Sequence, residues 1–193
     1  MIGLTGGVGM GKSTAHQLLL KRDIPVVDTD VLARDVVEPG QPALEEVRQL
    51  FGQSIVGQDG RLVRQALADR VFADPDARKK LEAILHPRIQ ALWQEQVETW
   101  RKEGKLLAFV VIPLLFETKA EEKLDATICA ACSAPTQRQR LTERGWSPEE
   151  IKNRIAAQLP VETKMLKSNY VIWTEGDLNV HAEQLDRILR KMG

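Results

Sequence analysis

Gly6-Gly7-Val8-Gly9-Met10-Gly11-Lys12-Ser13, with Thr14 directly behind it, satisfies G-x-x-x-x-G-K-[ST] in full. It follows the apolar run Met1 to Thr5 and precedes a helical pattern at Ala15, Leu18 and Leu19. Strand, glycine turn and helix in that order make an anion cradle. Glycines let backbone N–H groups turn inward around phosphates where side chains would block the approach. Gly11 opens the helix, whose positive N-terminal end then faces the anion. Lys12 can reach the β- and γ-phosphates as a point charge, the Ser13 hydroxyl is placed to ligate Mg²⁺, and Thr14 adds a hydroxyl near the α-phosphate.

Working outward, short apolar runs alternate with helical stretches. Expected strands are Met1–Thr5, Ile24–Val27, Leu106–Ile112, Asp125–Ala131 and Asn169–Trp173, mostly apolar on both faces as buried parallel strands are. The intervals between most of them suit helical crossovers. The expected fold is therefore α/β, a three-layer architecture with a five-stranded parallel sheet. From Gln41 to Gly104 the rhythm breaks into four helical patterns, around Leu44–Phe51, Val63–Val71, Leu81–Leu85 and Ile89–Trp100. His86-Pro87 places proline where a first helical turn tolerates it, Gly52 and Gly104 sit at helix stops, and Gly57 to Gly60 reads as a turn. Residues 41–104 are read as a helical insertion within a single domain, 1–193. A final amphipathic pattern, Leu178 to Met192, closes the sheet.

Composition limits the function classes. With 193 residues, 43% hydrophobic content, and 27 basic against 27 acidic side chains, the chain has one core and no broad charged footprint. Nucleic acid and membrane are not expected as partners. The apolar runs are too short for a span, and a soluble cytoplasmic protein is expected. Cys129-Ala-Ala-Cys132 has the C-x-x-C spacing, but it lies in an apolar strand with no second ligand pair, so both thiols read as small hydrophobes. His16, His86 and His181 have no partner at ligand spacing.

A phosphate cradle does not by itself distinguish a kinase from a GTPase or a motor ATPase. No N-K-x-D tetrad for guanine occurs, and the third strand ends Val110-Val-Ile-Pro113 rather than in Asp or Asp-Glu. Val26-Val27-Asp28-Thr29-Asp30 instead puts two carboxylates at the C-terminal end of the second strand, where open parallel sheets place ligands. If the chain stays extended, 28 and 30 share a side. Asp30 then has two readings: a base or magnesium-holding group, or the N-cap of a helix from Val31. Arg140 and Arg144, four apart, would stand on one helix face as a phosphoryl clamp, with Arg154 beyond. Ser147-Pro-Glu-Glu150 is a capping-box pattern, so Gly145-Trp146 would hinge two arginine-bearing helices in a lid, residues 135–158.

Gly3 to Thr14, Val27 to Asp30 with Ala33-Arg34, Phe51-Gly52, Asp59-Gly60, Arg64 with Leu67, Leu81-Glu82, His86-Pro87, Pro113-Leu-Leu-Phe-Glu117, Thr136-Gln137 with Arg140, and Arg154 with Gln158 together resemble the dephospho-CoA kinase family. The resemblance covers nearly the whole chain. It implies transfer of the γ-phosphoryl of ATP, with Mg²⁺, to the ribose 3′-hydroxyl of dephospho-CoA. It also implies Asp30, Lys12 and Arg140 as catalytic residues, and Gly7, Gly9, Met10, Gly11, Lys12, Ser13, Thr14 and Arg144 as nucleotide-binding. Asp30, Arg34, His86, Pro113, Leu114 and Glu117 would line the acceptor side, with the helical insertion receiving dephospho-CoA. The implied partner is that small molecule, bound by a monomer or weak homo-oligomer. The chain departs from the family pattern at Asn169 and Thr174, where Asp and Asn are usual. Kinases of nucleoside monophosphates or shikimate would share the ATP half, and a non-catalytic nucleotide-binding module remains the reading from another class.

Overall fold

β1 (Ile2–Gly6) is buried at every position and pairs in parallel on both edges, with β3 (Phe109–Val111) and with β4 (Ala126–Ala131). The computed structural model describes residues 1–192. Among them the sheet has five strands in the order β2-β3-β1-β4-β5, completed by β2 (Val26–Asp28) and β5 (Tyr170–Trp173). The register sets Ile2 against both Phe109 and Ala126, Val26 against Phe109, and Ile128 against Tyr170. All five expected strands are present, several of them shorter than expected. The third begins at Phe109 rather than Leu106, whose side chain is 99% exposed.

The described residues form two compact units, Met1–Asp28 with Thr99 onward, and Thr29–Glu98. In the first, α1 (Lys12–Leu20) and α9 (Leu178–Met192) pack on the sheet through Leu19, Leu185 and Ile188, against Leu4, Phe109, Ile128 and Ile172. A bidentate Arg22–Asp186 pair, at 2.7 and 3.0 Å, links the end of α1 to α9. The same unit carries α6 (Ala134–Glu143), α7 (Pro148–Ala156) and α8 (Val161–Lys167). The expected capping box of α7 is formed, with Ser147 and Glu150 each satisfying the other's backbone N–H. α8 has no counterpart among the expected helices.

The second unit holds α2 (Thr29–Asp35), α3 (Pro42–Phe51), α4 (Arg64–Ala73) and most of α5 (Pro75–Lys102). Val47, Phe51, Ile55 and Leu67 form its centre, with Leu81, Ile84 and Leu85 packed around them. The expected turn closes through the Gly60 N–H to Gly57 O bond, and Gly52 ends α3. Two helices were expected on either side of His86-Pro87. Instead α5 runs unbroken for 28 residues with Pro87 inside it. An interior proline costs about 3 kcal/mol because it removes an N–H and crowds the preceding turn. Packing outweighs that cost here: Leu81, Ile84, Leu85 and Ile89 are all partly buried against the unit's core. Arg88 adds a staple beside the proline, donating to Ile84 O at 2.6 Å and to Glu46 of α3 at 2.5 Å.

Both cysteines are free and buried, as their strand setting leads one to expect. Burial pushes the Cys129 thiol up to about 11. Among the described residues no helix is long and apolar enough to cross a membrane.

Candidate active site

The loop from Gly6 to Gly11 turns with φ of 144° at Gly6, 74° at Gly9 and 86° at Gly11. Side chains are excluded for two reasons at Gly9 and Gly11. Their φ values lie in the left-handed region, and an added Cβ would come within 2.9 Å of Leu141 of α6 or of Thr174. α1 begins at Lys12 with Gly11 as its N-cap residue, and that cap makes no side-chain hydrogen bond. A glycine at the cap supplies no side-chain acceptor, which suits this helix end to an anion. Lys12 Nζ lies against the loop, donating to Gly6 O and Gly7 O at 2.9 Å each. Ser13 is exposed and Thr14 half-buried.

Two glutamines clamp the tip of this loop. Gln137 Nε2 of α6 donates to Val8 O at 2.8 Å, and the Val8 N–H donates to Gln158 Oε1 at 3.0 Å. Leu141 is fully buried beneath Gly9. α6 is thus packed directly on the glycine turn.

Arg140, in the last turn of α6, donates to Thr174 Oγ1 at 2.9 Å and to Thr174 O at 2.5 Å. Thr174 in turn donates to Met10 O at 3.2 Å, so Arg140 is anchored to the loop through one hydroxyl. Arg144 ends α6 and is exposed. Arg154 lies over the Trp146 ring, 4.2 Å from its centroid. Gly11, Thr14, Arg140, Thr174 and His181 line a cavity of about 180 Å³ with residues 176–178. His181 shows no partner at ligand spacing in the sequence. It is buried, its Nε2 has no partner among the described residues, and burial with the nearby Arg140 charge pushes its imidazole below the ordinary histidine range.

Glu175, the residue after Thr174, ties the end of β5 to the start of α6. Its carboxylate accepts the Ser133 N–H at 2.9 Å and Trp173 Nε1 at 3.1 Å. Hydrogen bonds from the side chains of Ser133 and Thr136, the Ser133 backbone and Trp173 hold it down to about 2. A depressed carboxylate adds stability that is complete above its unfolded value near 4.5 and is lost as pH falls through about 2. Glu175→Gln is therefore expected to flatten the melting temperature against pH between those two values, read by thermal denaturation at each pH.

β2 ends at Asp28, whose Oδ2 lies 3.6 Å from His16 Nδ1. His16 thus has a partner that its sequence position does not reveal. The extended chain expected through Asp30 is not observed. α2 starts at Thr29, so the alternation that would put residues 28 and 30 on one side ends there. Asp30 lies in the first turn of α2, exposed, and is not the residue before the helix. The acidic side chain suits that helix end electrostatically. Arg34 sits in the last turn of α2, and His86 is half-buried in the middle of α5. These three residues belong to the second unit, whereas the loop, Arg140, Arg144, Pro113, Leu114 and Glu117 belong to the first.

The segment after β3 is held from α8. Lys164 is fully buried and places its ammonium 2.6 Å from Pro113 O and 2.8 Å from Glu117 Oε1. Pro113 O also accepts from Thr5 Oγ1 at 3.3 Å, and Glu117 Oε1 from the Leu159 N–H at 2.9 Å. No periodic signal marks Lys164 in the sequence, because its partners are non-local.

A dephospho-CoA kinase family model matches residues 1–179. The chain belongs to the dephospho-CoA kinase family. Similar members include the dephospho-CoA kinase of Anaeromyxobacter dehalogenans, 45% identical over 98% of this chain and 90% of that protein. That of Bdellovibrio bacteriovorus is 41% identical over 98% and 94%. Among solved structures, the Thermus thermophilus protein TT1252 superposes with a TM-score of 0.85 at 37% identity, covering 100% of this chain and 97% of that one. Dephospho-CoA kinase membership thus extends across the sheet, the glycine loop and the helical unit alike.

Proposed function

We propose that this chain transfers the γ-phosphoryl group of ATP to the ribose 3′-hydroxyl of dephospho-CoA, giving CoA and ADP. The observation that carries the reading is the glycine turn at the head of α1, with its left-handed Gly9 and Gly11 and the Lys12 ammonium at its mouth, in a chain of this family. Backbone N–H groups of Gly9 and of Gly11 to Thr14 cradle the phosphates, and Lys12 exchanges its loop carbonyls for β- and γ-phosphate oxygens. The cavity beside Thr14 and His181 takes the nucleoside part, with Arg140 and Arg144 on the lid side of the phosphates.

Hydroxyl and phosphate oxygens are the hard donors that Mg²⁺ selects, so the ion is held by Ser13 together with the nucleotide. When bound it neutralises charge on the phosphates. Asp30 accepts the proton of the 3′-hydroxyl as that oxygen attacks the γ-phosphorus. One P–O bond forms to the ribose, and the bond to the β-phosphate oxygen breaks, leaving ADP. Arg34, His86 and the segment from Pro113 through Leu114 to Glu117 serve the acceptor.

The test supplies ATP and Mg²⁺ with dephospho-CoA, a nucleoside monophosphate or shikimate in parallel, and follows product by chromatography. CoA formation with dephospho-CoA alone is expected. Turnover of another acceptor in its place overturns the substrate assignment, and ATP binding without any product makes the chain a binding module.

A further inference from the structure

We propose that Lys164 is a positioning residue for the nucleotide loop, acting through Glu117, Leu159 and Gln158. A lysine with no exposure is unusual, and its charge must be compensated where it lies. Two oxygens do this, Pro113 O at 2.6 Å and Glu117 Oε1 at 2.8 Å. The same Glu117 oxygen receives the Leu159 N–H at 2.9 Å, which fixes the chain where it leaves α7. The neighbouring side chain, Gln158, accepts the Val8 N–H at 3.0 Å at the tip of the glycine turn. Apart from the peptide bond between Gln158 and Leu159, each link is a single hydrogen bond or ion pair, and all lie within one compact unit.

Three further observations support a role beyond filling space. Glu117 Oε2 is buried without a partner among the described residues, so this carboxylate is oriented by its contacts through Oε1 alone. Lys167, on the same short helix, places its ammonium 5.5 Å from the Phe116 ring centroid, a second hold on the segment that Lys164 grips. The Thr5 hydroxyl shares Pro113 O with Lys164, which brings the strand feeding the glycine turn into the same network. Lys164 therefore sets the tip of the turn through Glu117, Leu159 and Gln158, while its bond to Pro113 O holds the segment after β3 in place. The inference rests on the reading of residues 6–13 as the phosphate-binding loop.

The test compares Gln158→Ala, Lys164→Met, the paired change Lys164→Met with Glu117→Leu, and Gln158→Ala combined with each. The paired change removes both members of the ion pair, a replacement that is often neutral for stability, so it keeps the comparison available if Lys164→Met alone does not fold. Binding of Mg-ATP and of tripolyphosphate is measured by calorimetry without acceptor, alongside melting temperature. Gln158→Ala and the Lys164 variants are each expected to weaken both ligands by about tenfold, the size of one lost hydrogen bond. Combining them is expected to add nothing, because the effect of Lys164 passes through Gln158. In turnover, Lys164→Met is expected to raise KM for ATP by the same factor. Multiplying losses, near a hundredfold in the combined variants, or folded Lys164 variants that bind ATP normally, would overturn the proposal. Failure of the unaltered chain to bind tripolyphosphate would overturn the loop reading itself and this inference with it.

Discussion

Lys12→Ala is expected to lower kcat/KM for CoA formation by at least about a hundredfold, close to 3 kcal/mol of transition-state stabilisation. Lys12 is the sole charged residue between Gly6 and Thr14. Its ammonium rests 2.9 Å from two carbonyls of the loop it serves, so it is held at the mouth of the turn rather than swinging in from a distance. Charge builds on the transferring group and the departing β-phosphate oxygen, and a point charge fixed there stabilises the transition state more than the ground state. Lys12→Arg is not expected to restore activity, because the planar, longer guanidinium does not fit between Gly6 O and Gly7 O as a compact ammonium does. A continuous assay of ADP release, with the melting temperature as control, reads the effect. Activity within tenfold of the unaltered chain would remove Lys12 from the phosphoryl-transfer step.

The second large effect is expected at Asp30. Asp30→Asn keeps the shape of the side chain but removes its ability to take a proton, and kcat is expected to drop by about a hundredfold or more. KM for ATP is expected to stay within a few-fold, since the amide makes no demand on the glycine turn. Asp30 is exposed in the first turn of α2, so the substitution has little packing to disturb. Normal turnover by Asp30→Asn would move the base to Asp28. That carboxylate has His16 at 3.6 Å, and His16→Ala combined with Asp28→Asn would then be the informative pair.

The sheet was legible because its strands are apolar on both faces, a composition that few other elements share. Leu106 illustrates the limit of that signal: its hydrophobicity extends the expected strand, yet nothing covers it and pairing starts three residues later, at Phe109. The glycine turn was legible for a different reason, since its shape is dictated residue by residue by local backbone demands. Pro87 misled because local propensity was the wrong scale. The continuity of α5 is decided by Leu81, Ile84, Leu85 and Ile89 packing against α3 and its neighbours, contacts that no window of sequence contains. The helix start at Thr29 was missed because Val26-Val27-Asp28 reads as a strand that could have run on through Asp30.

The polar framework was the least visible part. Lys164 is far in the chain from Pro113 and Glu117 and meets them only once β3 and α8 are in place. Arg140 looked like half of a two-arginine clamp. Its guanidinium is engaged by Thr174, a position the family pattern marked only as a departure. His16 likewise finds Asp28 across the end of the sheet. Helical spacing reveals neighbours three or four residues apart, and each of these pairs lies outside that range.

The strand order carries a consequence for how the protein is made. Ile2 to Gly6 leave the ribosome about a hundred residues ahead of the strands on either side of them, which begin at Phe109 and Ala126. At roughly 5–20 residues per second, this fully buried central strand waits about 5 to 20 s for its first neighbour. During that interval its backbone donors and acceptors have no native mate, which favours slow assembly.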